Sequence, residues 1–343
     1  MAYVASCEED VLLLCRKYDI SRPTVHEVMK DAEKLNKTCE SRSLSLMVEV
    51  RLVTALANHP CLLPENPLNA EVQVNSLLSY LSSPCRWVRS LACSLLRVFT
   101  LGLDPNGQHF ETQVTIICKN LQTTYEDCSS NTRFNVCQVI ACSSLCSVTI
   151  SCAALLPLTA VKFVLLTLRT VLNILSDPVK CTSSFLYQVA MDGLAKLFKC
   201  PATWNSLSVL EKRDAVTEYL PIFFDQSPST CKTVTDTTMA KMLEVFDNSD
   251  VLSLILNLPD SRQTLRKLLK MLLELLPPIS TSNEIPLLNV RWKSLSVIYK
   301  MIQLVKTHDV SKLDSLFDRA CCDPQQISQL STVLRNTFTD ITF

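Results

Sequence analysis

Apolar residues along this chain recur at helical spacing and almost nowhere alternate. Val11 to Leu14 opens a first short helix, broken at Ser21-Arg22-Pro23. Thr24-Val25-His26-Glu27 forms a capping box, with Thr24 serving the amide of Glu27 and Glu27 reaching back. Val25, Val28, Met29, Ala32 and Leu35 then fall on one stripe. Further helices are predicted over Leu44–Leu56, Val72–Leu81 and Trp87–Thr100. Downstream they come as pairs: Thr112–Leu121 with Arg133–Cys146, Leu158–Leu175 with Phe185–Phe198, and Leu207–Phe224 with Thr237–Phe246. Ser261–Leu276, ended by Pro277-Pro278, pairs with Val290–Val305, and Ser311–Ala320 and Gln326–Thr337 close the chain. No segment shows period-two alternation bounded by hairpin turns. The expected fold class is all-α.

The second helices of these pairs share a pattern. VRLVTALAN begins at Val50, VRSLACSLL at Val88 and VRWKSLSVI at Val290. Each opens Val-Arg and carries a small residue four positions later, Thr54, Ala92 and Ser294. TRFNVCQVI from Thr132 is a fourth copy, with Val136 at the small position. LYQVAMDGL, with Ala190, and TMAKMLEVF are more degenerate. Val50 and Val88 are 38 residues apart, and Val88 and Thr132 are 44 apart. About six units at this spacing match the period of roughly 40–47 residues known for stacked helical hairpins. Such a hairpin cannot bury its apolar face alone, so neighbours stack. A small residue lets two helices approach closely, and the arginine is placed to reach a turn or a neighbouring repeat's carboxylate.

The stretch LSSP…VRSLA, from Leu81 to Ala92, resembles a HEAT repeat, and LSDP at Leu175–Pro178 resembles the same turn. The aspartate usual in that turn is Ser83 in the first and Asp177 in the second. The resemblance implies an α-solenoid of HEAT/armadillo-like hairpins, one array over residues 1–343; the alternative is an irregular α-helical bundle. In texture, rich in Leu, Ser and Cys with degenerate repeats, the chain also resembles vertebrate meiosis inhibitor proteins, which are helical-repeat proteins implicated in meiotic recombination.

Composition narrows the function classes. Only three glycines occur, Gly102, Gly107 and Gly193, so neither GxGxxG nor GxxxxGK[ST] can be present. The 17 cysteines form no CxxC pair. Glu8, Glu9 and Asp10 precede the first apolar run, where a secretory signal would carry positive charge. The cysteines are therefore expected to be free thiols in a reducing compartment, packing as small apolar residues. This places the protein in the cytoplasm or nucleus. Residues 134–161 hold no charged side chain. That length suffices for a membrane span, but Asn135, Gln138, Pro157 and many Ser and Thr favour a pair of buried helices.

Candidate chemistry is sparse. His26, His59, His109 and His308 lie far apart, with no HExxH spacing. Cys142 and Cys146 are placed to share a helix face, yet lack the paired knuckles or histidines of a zinc site. No GxSxG occurs, and no cysteine has a local histidine partner. No enzyme activity, cofactor, metal or small-molecule substrate is expected. One region is unbalanced: Ser261 to Lys306 holds eight Lys or Arg against Glu274 and Glu284. Arg262, Arg266, Lys267, Lys270, Arg291, Trp292 and Lys293 form the candidate partner-binding patch, for an acidic protein or a nucleic-acid backbone. A solvated outer face is the competing reading. The expected role is a non-catalytic scaffold that binds other proteins; the alternatives are a nucleic-acid-associated helical-repeat protein, in meiotic recombination or chromosome biology, and a membrane-associated protein through residues 134–161.

Overall fold

Why the chain folds as it does is clearest at the turn LSSPCR. Ser83 Oγ accepts the amide of Cys85 at 3.2 Å, and the extended backbone of Cys85 then launches a helix at Arg86. The structure is a computed structural model; it describes residues 29–30, 33, 46–57, 67–127, 136–156, 159–177, 184–226, 235–276 and 285–308. Among these the regular elements are helical and no strand occurs, so the fold is all-α. The helices predicted before residue 29 and after residue 308 lie outside the described residues. Contacts cluster into two units, Met1–Leu207 and Ser208–Phe343.

The first unit holds α1 (Leu46–Ala57), α2 (Pro67–Tyr80), α3 (Arg86–Thr100), α4 (Phe110–Asp127), α5 (Val136–Ala153), α6 (Val161–Ser176), α7 (Ser184–Lys199) and the short α8 (Pro201–Asn205). Three pairs of successive helices pack together, α2 with α3, α4 with α5, and α6 with α7. Across pairs, α3 packs on α5 and α5 on α7, while α4 packs on α6. α1 lies against α3 and α5, and α8 against α5 and α7. Every one of these helices except α2 thus packs extensively on α5.

That position explains the charge-free run. α5 is long and apolar enough to cross a membrane, but 78% of it is buried inside the protein. It is a core helix buried over most of its circumference, with Ser143, Ser147, Ile150 and Ser151 half-covered along one side, so no single apolar stripe is visible in its sequence. The run was expected to hold a pair of helices; it holds one, which ends at Ala153 in a turn that leads to α6. Its buried polar groups are satisfied internally. Thr149 and Thr167 hydroxyls lie 2.7 Å apart, and Thr167 Oγ1 donates to the Phe163 carbonyl at 2.8 Å. With that proton committed, Thr149 must be the donor to Thr167, and Cys118 Sγ stands 3.9 Å from Thr149 Oγ1. α4, α5 and α6 are joined by this chain of hydroxyls and thiol.

The Val-Arg pattern acquires a physical meaning in α3. Val88 and Ala92 are fully buried, and the Arg89 guanidinium donates to the Ser83 carbonyl of the preceding turn. The second expected role, reaching a neighbouring unit's carboxylate, belongs to Arg86, whose Nη2 lies 3.0 Å from Glu49 Oε1 of α1. Of the small positions, Ala92, Ala190 and Ser294 are fully buried, whereas Thr54 is half-buried. The tightest approach is elsewhere, at Gly193 of α7. A Cβ there would lie 2.5 Å from Cys146 Sγ of α5.

The second unit holds α9 (Val209–Phe224), α10 (Asp236–Glu244), a 3-10 turn (Val245–Asp247), α11 (Ser249–Leu256), α12 (Ser261–Glu274) and α13 (Ile285–His308). α9 starts at a capping box, with the Glu211 amide donating to Ser208 Oγ at 3.3 Å and the Ser208 amide to Glu211 Oε2 at 2.7 Å. Its core is aromatic: the rings of Phe223 and Phe246 are 5.2 Å apart, edge to face. Tyr219 Oη donates to the Met242 carbonyl at 2.7 Å, which removes the cost of burying the phenol. α13 packs chiefly on α10, and also on α11 and α12. Neither α11 nor α8 was predicted. Both are too short for periodicity to show, at eight and five residues; each is announced only by its cap, Asn248 and Cys200-Pro201.

Six of the free thiols, Cys93, Cys118, Cys137, Cys142, Cys146 and Cys152, are buried. Burial pushes Cys118 and Cys152 up to about 12. The Cys142 side chain, hydrogen-bonded to it, and then burial raise Cys146.

Two predictions follow from this core. Gly193→Ala gains about 1 kcal/mol of helix propensity, but overpacking against Cys146 costs about 1–3 kcal/mol. Net destabilisation is expected in urea denaturation, with partial recovery when Cys146→Ala is added; a more stable single variant would contradict the close approach. The second concerns alkali. Below the usual thiol pKa of about 8.5 folded and unfolded chains both keep the proton. Above it the unfolded chain alone loses the Cys118 and Cys152 protons, until the folded values near 12 are reached. Stability should therefore fall between those limits, by up to about 1.4 kcal/mol per pH unit for each thiol. The slope should be shallower in Cys118→Ala/Cys152→Ala, measured as the urea midpoint against pH.

Candidate interaction surface

α12 reads SRQTLRKLLKMLLE, and its first three turns divide into two faces. At about 100° per residue, Arg262, Arg266, Lys270 and Lys267 occupy one arc of about 140°. Leu265, Leu268, Leu269, Met271 and Leu272 occupy the remainder and are buried, while in the last turn buried Leu273 and exposed Glu274 fall within the cationic arc. The leucines hold α12 to α9, α11 and α13, and this fixes the cationic arc outward. Arg262, Lys267 and Lys270 are exposed, and Arg266 is half-buried. Successive cations four residues apart are separated by about 6 Å along the axis.

The cations of α13 are different. Lys293 Nζ lies 3.0 Å from Glu244 Oε1 of α10, with both side chains mostly covered. Lys241 takes the other oxygen of Glu244 at 3.2 Å. Lys300 pairs with Asp247 at 3.1 Å. Arg291 is half-buried, whereas Trp292 is 55% exposed. The sequence-predicted patch therefore divides. Arg262, Lys267 and Lys270 are surface cations with no ion pair among the described residues. Lys293 instead ties α13 to α10.

Glu244 is the residue that sequence reasoning missed. It lies 49 residues from Lys293, and nothing local marks it as a shared acceptor for two lysines. Asp247 and Asp250 are engaged in the same way, with Lys300 and with Lys212, the latter at 3.8 Å. Among the described residues no three His, Cys, Asp or Glu side chains converge as metal ligands would. What α12 and α13 present among the described residues is positive charge and an exposed indole ring.

The two kinds of cation should separate in denaturation experiments. Lys293→Ala is expected to lose about 1 kcal/mol, since it strands a mostly covered carboxylate beside a single lysine. Lys267→Ala should stay within about 0.5 kcal/mol of the parent. Equal losses would show that the division is wrong. Set against known proteins, the chain matches no family model, no curated protein and no solved structure.

Proposed function

We propose that this chain is a non-catalytic α-solenoid scaffold, of the HEAT/armadillo kind, that binds other proteins inside the cell. The observation that carries the proposal is the stacking in the first unit. Hairpins α2/α3, α4/α5 and α6/α7 follow one another, with α3, α5 and α7 in succession and α4 against α6. Helical hairpins that bury their faces against one another in order are the unit of repeat scaffolds, whose surfaces bind peptides or proteins. The internal roles of Arg89 and Arg86, one on its own turn and one on the preceding unit, suit a residue pattern kept for stacking. The likeness to meiosis inhibitor proteins would direct the search for partners toward chromosome biology.

The test is affinity capture with the full chain, followed by reconstitution of each candidate partner with purified protein. The expected result is at least one partner that binds saturably and still binds after nuclease treatment. If no captured protein rebinds the purified chain, or nuclease abolishes every interaction, the scaffold reading fails.

A further inference from the structure

Resting on that reading, we propose that the outward face of α12 is the docking surface for an acidic protein segment, one that presents carboxylates at helical spacing to Arg262, Lys267 and Lys270. The argument begins with what the rest of the unit does with its charges. Glu244 takes Lys241 and Lys293, Asp247 takes Lys300, and Asp250 takes Lys212. Each of these lysines stands near an acid on another helix or one turn away. Arg262, Lys267 and Lys270 form no ion pair among the described residues, although Glu274 stands one turn beyond Lys270, and all three are exposed to solvent.

Their placement is also unfavourable for α12 itself. Arg262 lies in the first turn, where the helix dipole is positive and a cation is destabilising. Arg262, Arg266 and Lys270 are like charges at i, i+4 spacing, which repel within one helix. No acidic residue occupies the first turn to offset them, and Asp260 at the N-cap makes no side-chain capping bond. An arc of this kind is neutralised by carboxylates brought from outside. A partner helix with acids at i, i+4 and i+8 repeats the spacing of about 6 Å along the row Arg262, Arg266 and Lys270, and its carboxylates reach exposed Arg262 and Lys270, with exposed Lys267 beside that row.

Charge complementarity favours a protein acid over a phosphate backbone. Nucleic-acid binding commonly engages about six to ten phosphates, whereas α12 presents three fully exposed cations over about two turns. The chain as a whole has a formal net charge of zero, with 33 basic and 33 acidic residues, so it supplies no long-range pull toward a polyanion.

The experiment uses the full chain and a labelled twenty-residue helical peptide with Glu at every fourth position, read by fluorescence anisotropy. Its Gln counterpart and a single-stranded DNA of twenty nucleotides are the comparison probes. The Glu peptide should bind, and the Gln peptide should bind at least tenfold more weakly. Arg262→Glu/Lys267→Glu/Lys270→Glu should lower the Glu-peptide affinity at least tenfold. The neutral Gln triple variant should give an intermediate loss, and circular dichroism melting should confirm that both remain folded. Lys119→Glu/Arg169→Glu, reversing exposed cations of the first unit, should leave binding unchanged.

Equal binding of the two peptides, or full affinity in the reversed variant, overturns the proposal. Tighter binding of the DNA, lost in the same variant, overturns it in favour of nucleic acid. A reconstituted partner that binds the reversed variant as well as the parent removes the α12 face but leaves the scaffold reading standing. Failure to find any partner removes the scaffold reading, while the peptide titration still reports on the face.

Discussion

The burial of most of α5 is the constraint on which the first unit depends. Eighteen consecutive residues without a charge leave only one narrow side half-covered, at Ser143, Ser147, Ile150 and Ser151, and other helices pack over the rest. α3 and α7 flank it, α4 and α6 cover it from the paired layer, and α1 and α8 contribute further contacts. The close approach of α7 is allowed by Gly193 over Cys146. Where the helix carries hydroxyls, Thr149 is held in a chain from Cys118 to Thr167 and on to the Phe163 carbonyl, and so is buried without losing hydrogen bonds. The cysteines belong to the same solution. They are small enough for tight helix contacts and apolar enough to pack inside.

How much of this was legible in the sequence depended on the range of the interaction concerned. The long helices were visible because 3.6-residue periodicity is a local signal summed over many residues. α3 was predicted over Trp87–Thr100 and begins one residue earlier, at Arg86. α4 and α5 ran past their predicted ends at Leu121 and Cys146, since Thr, Gln and Ser blur the pattern without breaking the backbone ladder. α8 and α11 are shorter than the window in which periodicity is measurable. The charge-free run announced a buried element, but its division into one helix and a turn depended on packing that composition does not encode.

The candidate surface shows the same limit more sharply. That α12 would carry a basic stripe follows from spacing alone, and its leucines on the opposite arc fix which way the stripe faces. Whether a given cation is already neutralised is a long-range property. Lys293 and Lys270 look alike in sequence, yet one meets a carboxylate 49 residues away and the other meets solvent. In α3, likewise, the arginine of the Val-Arg pair reached the turn as its position suggested. The contact with α1 fell to Arg86, because Glu49 is buried and within reach of that side chain.

These two kinds of basic residue follow different physics. A mostly covered pair such as Lys293–Glu244 is maintained by the cost of leaving either charge alone in a low-dielectric setting. It fixes the approach of α13 to α10, and salt in the medium weakens it little. Arg262, Lys267 and Lys270 of α12 have no such cost to avoid; in water each is well solvated, and their mutual repulsion is screened beyond about 8–10 Å at ordinary ionic strength. Their retention as a coherent arc is therefore not required by the packing of α12, which its leucines already secure. A feature that folding does not need, and that costs the helix some stability at its N-terminal turn, leaves positive charge open to solvent, and that charge is what the proposed docking would use. Stacking by apolar and small residues is in this way separate from the charges left over from internal pairing, and only the first is needed to hold the core.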